Sequence, residues 1–177
     1  CSFANNNCVE AWSPRNTWVR NKANHGSYGF WLGASDQNVL IGNEASFNGL
    51  KEGNHNSPHL PDNGHAGIVF MFGPSSHTVL RGNKCEGNNE AGIAGIGDQD
   101  SKGKKWKSFH CIIEQTQLIN NLWRMYLEHA HFVYFNYLTF APNTDQKLND
   151  TTVQTLHTRV SVLWPPNPPH THLALPS

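Results

Sequence analysis

A short pattern recurs along most of this chain of 177 residues, and this repetition limits the folds that are open to it. Each copy holds a run of apolar or β-branched residues, then a polar residue, a variable residue and a further apolar residue. A unit of about 20 to 22 residues cannot bury its own apolar face, so successive copies must stack on one another. The polar positions of five copies are 22, 40, 33 and 20 residues apart: Asn21, Asn43, Asn83, Thr116 and Asn136.

The residue types at the repeated positions favour stacked β-strands. Leucine-rich repeats have a similar period, but regular Leu spacing is absent here, and β-branched, aromatic and Asn residues stand in its place. The chain also has 15 Gly and 10 Pro, which suit turns and disfavour long helices. We therefore predict a parallel β-helix in which Asn side chains at a repeated turn form a hydrogen-bonded ladder.

The repeat also resembles that of a known superfamily. Residues 67–85 carry Gly-Ile-x-x, a gap, and then apolar-apolar-x-x-Asn-x-apolar, and related copies extend over about residues 8–140. This pattern resembles the repeats of right-handed parallel β-helix proteins of the pectin-lyase-like superfamily. The superfamily includes polysaccharide lyases, galacturonases, alginate epimerases, phage tailspikes and the copper-site maturation protein of nitrous oxide reductase.

The repeat and the resemblance together lead to one expected architecture. It is an all-β, right-handed parallel β-helix solenoid of about five to six coils over residues 1–164, with the Pro-rich residues 165–177 as a tail or cap. The resemblance implies the fold more strongly than the function, because function resides in sites grafted onto a fold. The chain lacks the acidic calcium cluster and the Asp-Pro-His type motif of superfamily enzymes, and it has no arginine clearly placed as their base. The resemblance therefore implies no particular catalytic mechanism for this chain.

Two insertions indicate which sheet carries a site. Residues 51–66 arrive just before the predicted strand 67–72, and residues 98–108 leave just after the predicted strand 92–96. Function concentrates in loops that a rigid scaffold positions. The predicted binding sheet consists of residues 9–12, 29–33, 67–72, 92–96 and 125–129.

Strand alternation predicts which side chains of this sheet face solvent. The outward positions include two aromatic residues, Trp31 and Tyr126, and two carboxylates, Glu10 and Glu128. Sugar rings stack on aromatic faces, while carboxylates bind hydroxyl groups or move protons. A polysaccharide is therefore the predicted partner, with Trp31, Tyr126 and Glu10 as binding residues. The alternative is that the two aromatic rings only pack under the inserted loops.

Catalysis, if the protein is an enzyme, is expected near the last strand of this sheet. Glu128 is the candidate acid–base carboxylate, and His129 and His131 are the candidate acid–base imidazoles, since residues two apart share one face of a strand. The reaction classes considered are those of a lyase, an epimerase or a glycoside hydrolase. The alternative is that both histidines are packing residues.

The second insertion supplies charged residues at the rim of the same sheet. Asp98, Lys102 and Lys105 are candidate substrate-binding residues there. A lysine at this place can neutralise the carboxylate of a uronate. The alternative is a solvated loop without a ligand.

Histidines of the first insertion suggest a metal site. His55, His59 and His65 lie close together in sequence, and neighbouring prolines stiffen the segment. They are candidate ligands of a divalent metal, although their spacing matches no recognised site. No other cofactor is expected, and solvated loop histidines are the alternative.

Charge and hydropathy exclude other classes of partner. Thirteen Lys and Arg balance thirteen Asp and Glu, so no basic surface collects nucleic acid. No apolar run approaches the roughly 18 residues that a membrane-spanning helix needs. A secreted or cell-envelope location is expected for a protein that acts on polysaccharide.

A noncatalytic protein is the rival prediction, because no catalytic motif is present. It would be a structural fibre segment, an adhesin segment or a metal-delivery β-helix protein. The first coil begins almost directly after Cys1, so its end is expected to be uncapped. An uncapped end exposes unpaired backbone and favours self-association with another chain.

Overall fold

The computed structural model describes residues 1–4, 6–50, 66–96 and 101–140, together with the backbone of residues 147–149, 153–155 and 161–162. Within these ranges the chain is all-β, with short strands and no helix. These ranges accordingly hold no helix with the length and apolarity that crossing a membrane requires. The strands are β1 (Val9–Ala11), β2 (Thr17–Val19), β3 (Phe30–Gly33), β4 (Val39–Ile41), β5 (Ile68–Met71), β6 (Val79–Arg81), β7 (Lys84–Glu86), β8 (Ala91–Gly95), β9 (Ser108–Phe109), β10 (Ile112–Glu114), β11 (Gln117–Ile119), β12 (Trp123–Glu128), β13 (Ala130–His131), β14 (Val133–Asn136), β15 (Thr139–Phe140), β16 (Lys147–Asn149), β17 (Val153–Thr155) and β18 (Ser161–Val162).

The strands pair in parallel and form three larger sheets and one small one. Sheet 1 has the order β1-β3-β5-β8-β12-β16, and sheet 2 has the order β2-β4-β6-β10-β14-β17. Sheet 3 has the order β7-β11-β15-β18, and β9 pairs with β13. Strand order in each sheet follows chain order, so each further stretch of chain adds one strand to sheets 1 and 2 and, from β7 onward, one strand to sheet 3. This topology is compatible with the predicted β-helix.

The prediction that five segments form one sheet is confirmed, since sheet 1 contains a strand from each of them. The predicted alternation is confirmed as well. Phe30 and Leu32 belong to the main hydrophobic core, whereas Trp31 between them belongs to a separate cluster on the other face of the sheet. Val69, which pairs with Trp31, lies in that outer cluster too.

The core is built from the inward residues of the strands, with one or two from each. In sheet 2, the register aligns such residues from five successive strands, and each one contacts its equivalents in the strands before and after it. Their stacking gives a continuous apolar column, which is what buries the apolar face of each repeat. The column consists of Trp18, Leu40, Leu80, Ile113 and Phe135.

A row of glycines explains the Gly at the start of the repeated pattern. Gly29, Gly67 and Gly92 stand at equivalent places before or within strands of sheet 1. A Cβ atom on Gly67 would lie 2.6 Å from the carbonyl oxygen of Ala45 and 2.8 Å from that of Gly92. Backbone atoms cannot move away locally, so this position has no room for a side chain.

Two Asn ladders join the coils. In the first, the Oδ1 atom of Asn43 accepts hydrogen bonds from the backbone N–H of Asn21 at 2.8 Å and from its side-chain amide at 3.2 Å. Asn83 repeats both contacts to Asn43, at 2.9 and 3.1 Å. The second ladder runs from Asn48 through Asn88 to Asn121 with the same geometry. Each buried amide is thus satisfied by the neighbouring coil.

The fifth copy of the repeat was aligned wrongly from the sequence. Asn136 pairs with Glu114 and not with Thr116, so the last interval is 22 residues and not 20. In the coil that follows, the position equivalent to Thr116 is held by Leu138, which is buried in the core. Asn136 has the residue type of the ladder, but the ladder position of this coil is the apolar Leu138.

Left-handed backbone conformations mark the corners between sheets. The residue before each position of the first ladder has a positive φ, from Arg20 with 55° through Gly42 and Gly82 to Gln115 with 50° and Tyr137 with 49°. For residues other than glycine this conformation costs roughly 1–2 kcal/mol. Each of the first four donates its backbone N–H to a carbonyl of the next coil, as Gln115 does to Asn136 at 2.9 Å. Stacking therefore supports the strained corners.

We expect Asn88→Ala to lower the free energy of unfolding by about 3 kcal/mol, because the change strands several buried partners. Asn88 accepts from Asn48 and donates to the carbonyl of Ala45 at 3.0 Å and to Oδ1 of Asn121 at 2.8 Å. Urea denaturation followed by circular dichroism measures the loss. Asn136→Ala is the matched control and should cost less than about 1 kcal/mol, because its Oδ1 atom bonds to nothing among the described residues. Equal losses in the two variants would contradict the ladder.

Candidate functional site

The outer side of sheet 1, opposite the main core, carries a row of residues that the register aligns from coil to coil. The row begins with Glu10 and Trp31, continues through Val69 and Ala94, and reaches Tyr126. Trp12, one residue after the end of β1, and Glu128, the last residue of β12, lie two residues after Glu10 and Tyr126 on the same side. We call this side of the sheet the sheet 1 face. Buried apolar residues form its middle, where Val69 and Ala94 are at most 4% exposed, and a carboxylate lies toward each end.

Glu10 is held at the first end by two side-chain donors. The indole Nε1 of Trp12 donates to one carboxylate oxygen at 2.7 Å, and the side-chain amide of Asn7 donates to the other at 3.0 Å. The carboxylate is exposed. Because both oxygens already accept a bond from the chain, Glu10 is oriented and can accept further bonds from ligand hydroxyls.

Three aromatic rings lie together beside Glu10, and we call them the aromatic patch: Trp12, Trp31 and Phe72. The ring centroids of Trp12 and Trp31 are 4.6 Å apart, and those of Trp31 and Phe72 are 5.7 Å apart. Gly33 makes room for the packing, since a Cβ there would lie 2.4 Å from the Trp31 ring. The patch is a contiguous aromatic surface.

The sequence predicts Trp31 as the exposed ring of this region, whereas the exposed rings of the patch are Trp12 and Phe72. Trp31 is only 3% exposed, whereas Trp12 is 59% and Phe72 45% exposed. Trp31 therefore supports the patch from below and offers no open face of its own to a ligand. Alternation from Glu10 would have found Trp12, but Phe72 lies at a corner with φ of 59°, where alternation gives no information.

Tyr126 and Glu128 form the other end of the sheet 1 face. The Tyr126 hydroxyl donates a hydrogen bond to a carboxylate oxygen of Glu128. Its ring stacks on Trp123, with centroids 5.6 Å apart. The hydrogen bond to the Glu128 carboxylate, burial and the negative charges of Glu128 and Glu90 raise the pKa of Tyr126 to about 12. Tyr126 is therefore protonated at neutral pH and acts there as a donor.

The two end carboxylates are far apart. Four strand spacings separate β1 from β12 in sheet 1, and at about 4.8 Å each they place the two strands about 19 Å apart. A pair of glycosidase carboxylates lies about 5 to 9.5 Å apart. Glu10 and Glu128 therefore cannot act on one glycosidic bond.

The predicted histidine pair does not share a strand face. His129 lies at the corner between β12 and β13, with φ of 51°, and its residue is only 5% exposed. His131 belongs to β13, and its ring stacks on Phe109 with centroids 5.7 Å apart. The corner interrupts the alternation on which the prediction depended. Of the three candidate acid–base residues, Glu128 alone lies on the sheet 1 face.

The second insertion forms a separate cleft next to this face. A space of about 520 Å³ is lined by Pro74, Lys104, Lys105, Trp106, Lys107 and Phe109. Of the rim residues predicted from the sequence, Lys105 lines the cleft, Lys102 is exposed on the same segment, and Asp98 lies outside the described residues. Lys104, Trp106 and Lys107 were missed because the sequence does not indicate how this loop folds.

Two of the cysteines, Cys85 and Cys111, are buried. All four cysteines are free thiols, and burial raises the pKa of Cys85 to about 12 and that of Cys111 to about 11. Such thiols are unreactive. The described residues contain no group of three or more His, Cys, Asp or Glu side chains able to hold a metal. The predicted ligands His55, His59 and His65 lie outside them.

Comparisons with protein-family models, with curated proteins and with solved structures find no match for this chain. Its function therefore has to be inferred from its own geometry.

A spectrophotometric titration should detect one tyrosine that ionises near pH 12. Glu128→Gln removes the accepting charge, so the pKa of Tyr126 should fall toward the ordinary value of about 10. Because the raised pKa belongs to the folded state, the stabilisation it gives is complete below about pH 10 and disappears as the pH rises to about 12. Glu114→Gln, on sheet 2, is the control and should leave this titration unchanged. An unchanged titration in Glu128→Gln would refute the assigned contact.

Proposed function

We propose that the protein is a right-handed parallel β-helix of six coils that binds a polysaccharide along the sheet 1 face. The order of strands supports the coil arrangement, because sheets 1 and 2 each gain one strand in turn along the chain, up to six in each. A secreted or cell-envelope location accompanies this proposal, since that is where polysaccharides of this kind are met.

The observation that carries the proposal is the aromatic patch beside an oriented carboxylate. Trp12 and Phe72 are large apolar rings left exposed directly after β1 and β5, with centroids 6.5 Å apart and an angle of 18° between their planes. Exposed aromatic rings of this kind stack on the apolar faces of sugars. Glu10, bonded to Trp12, then accepts hydrogen bonds from the hydroxyl groups of the same sugar.

The length of the sheet 1 face favours a polymer over a monosaccharide. The exposed rings of the aromatic patch lie at the ends of β1 and β5, and the Trp123–Tyr126 stack lies on β12, two to four strand spacings away. At about 4.8 Å for each spacing, these aromatic groups are about 10 to 19 Å apart. More than one sugar residue is needed to contact both.

Binding is a better-supported role than hydrolysis by two carboxylates, because Glu10 and Glu128 lie too far apart for it. A lyase or epimerase would have to use Glu128, with the protonated Tyr126 as a hydrogen-bond donor beside it.

Self-association through the edge of β1 also stays a prediction. It is supported by the pairing of β1 with a single strand of sheet 1 among the described residues.

We expect the double variant Trp12→Ala, Phe72→Ala to weaken polysaccharide binding by at least about tenfold, since both stacking surfaces are lost. A glycan array identifies a ligand, and isothermal titration calorimetry measures its Kd for each variant. The matched control is Tyr137→Ala, which removes another exposed aromatic ring at a corner after sheet 2. Unchanged affinity in the double variant, or an equal loss in the control, would contradict the proposed site.

A further inference from the structure

We propose that Glu10 and the exposed rings of the aromatic patch bind a protonated primary amine, and that the polysaccharide recognised by this protein therefore carries amino sugars. This inference rests on the proposed function and narrows its substrate class to cationic glycans. The recognised group is an ammonium attached to a sugar ring, which offers a charge to the carboxylate and an apolar face to the aromatic rings.

Glu10 is an exposed carboxylate that is bound by neutral donors. Trp12 and Asn7 supply its two hydrogen bonds, and none of the ion pairs among the described residues includes it. In the strands of sheet 1 whose side chains the structure describes, Arg124 is the one cation. Its guanidinium lies over the ring of Phe140, on a strand about 19 Å from β1. The negative charge of Glu10 is therefore open to a cationic ligand.

The bond between Trp12 and Glu10 brings the carboxylate to the edge of an open aromatic ring. Trp12 is 59% exposed, and its Nε1 atom lies 2.7 Å from the carboxylate oxygen. An ammonium group that bonds to this oxygen at about 2.8 Å lies at most about 5.5 Å from Nε1. Cations are attracted to the face of a tryptophan ring within about 6 Å of its centroid. One ammonium group can therefore use the charge of Glu10 and the ring of Trp12 together.

The carboxylate favours a primary ammonium group over a quaternary one. A carboxylate has about four lone-pair sites, and on Glu10 two of them hold the bonds from Trp12 and Asn7. The remaining sites can accept N–H bonds, which a quaternary ammonium group cannot donate. Cages for quaternary ammonium groups surround the cation with aromatic faces. Here Trp31 is buried and the two exposed rings lie within 18° of parallel, so a cation on the patch is not enclosed.

The two exposed rings favour a sugar as the carrier of the ammonium group. Trp12 and Phe72 present a broad apolar surface, with ring centroids 6.5 Å apart. The flat face of a pyranose ring covers such a surface, whereas the side chain of a lysine is a single chain of methylene groups. An amino sugar holds its charge on a carbon of that same ring. It can therefore stack on the patch while its ammonium group reaches Glu10.

The far end of the sheet 1 face is also negatively charged. Glu128 accepts a hydrogen bond from Tyr126, and the negative charge of Glu90 acts on the same tyrosine. A polymer with an amino group on successive sugars meets a carboxylate at each end of the face. A polymer of uronates or sulfated sugars is repelled by the same carboxylates. We therefore commit to an amino polysaccharide as the occupant.

The test compares amino and neutral forms of one polymer. A hexamer of β-1,4-linked glucosamine is measured by calorimetry against the N-acetylglucosamine hexamer and against cellohexaose, at two salt concentrations. The pH is about 5.5, at which carboxyl groups are ordinarily ionised and amino groups protonated. We expect the amino hexamer to bind at least about tenfold tighter than either neutral hexamer, with the difference shrinking at high salt.

Glu10→Gln should remove most of this preference and leave the affinity for the N-acetyl hexamer within about twofold of that of the parent chain. Glutamine keeps the shape of the side chain and an acceptor for Trp12, so the charge is what is lost. The side chain is exposed, and circular dichroism checks that the fold is kept. The charge-matched control is Glu114→Gln on sheet 2, which should bind all three hexamers as the parent chain does.

Different results would overturn different parts of the inference. Equal affinity for the amino and neutral hexamers would refute the ammonium site and leave the proposed function standing. An equal loss in Glu114→Gln would refute the role of Glu10. Tighter binding of choline or of a trimethyllysine peptide than of the glucosamine hexamer, lost in Glu10→Gln, would refute the choice of ligand. Binding of none of these hexamers and of no glycan on the array would refute the proposed function itself.

Discussion

Alignment of neighbouring coils by their buried Asn side chains is the constraint on which the rest of the structure depends. An amide such as that of Asn43 finds its acceptors and donors only when Asn21 and Asn83 stand directly before and after it. A slip by one residue would leave these groups unsatisfied in the interior. The intervals between coils vary between 22, 40 and 33 residues, yet the contacts at the corner are the same. Insertions are therefore tolerated only where they leave the ladders in register.

This register creates the surface that we propose as functional. One outward residue per strand is brought into line across sheet 1, so Glu10 and Trp31 lie beside each other although 21 residues separate them in sequence. Phe72 joins Trp12 and Trp31 because the corner after β5 turns its ring onto the same side. The second insertion contributes Lys104, Lys105, Trp106 and Lys107 to a separate cleft. The scaffold is regular, and the site lies where the chain departs from regularity.

The sequence predicts the regular part well and the irregular part poorly. The strands of sheet 1 and the opposite faces of Phe30 and Trp31 follow from period-two alternation combined with the repeat. The ladder role of Asn136 was wrong, because an Asn within a strand and an Asn at a corner look alike in sequence. The pairing of His129 with His131 failed since a corner with positive φ lies between the two strands. The separation of Glu10 and Glu128 could not be known without the order of strands in the sheet. The burial of Trp31 depends in part on Trp12 and Phe72, and the position of Phe72 after a corner cannot be read from alternation.

The central claim is that the aromatic patch beside Glu10 binds a polysaccharide, and the indole N–H signal of Trp12 tests it most directly. We would follow the indole signals of the protein by two-dimensional NMR during titration with an oligosaccharide that the glycan array identifies. The signal of Trp12, on the aromatic patch, should shift with the same apparent Kd that calorimetry gives. The signal of Trp18, whose ring packs against Phe30 of the core, should stay unchanged. A shift of the Trp18 signal without one of Trp12, or no shift of Trp12 at saturating oligosaccharide, would contradict the account.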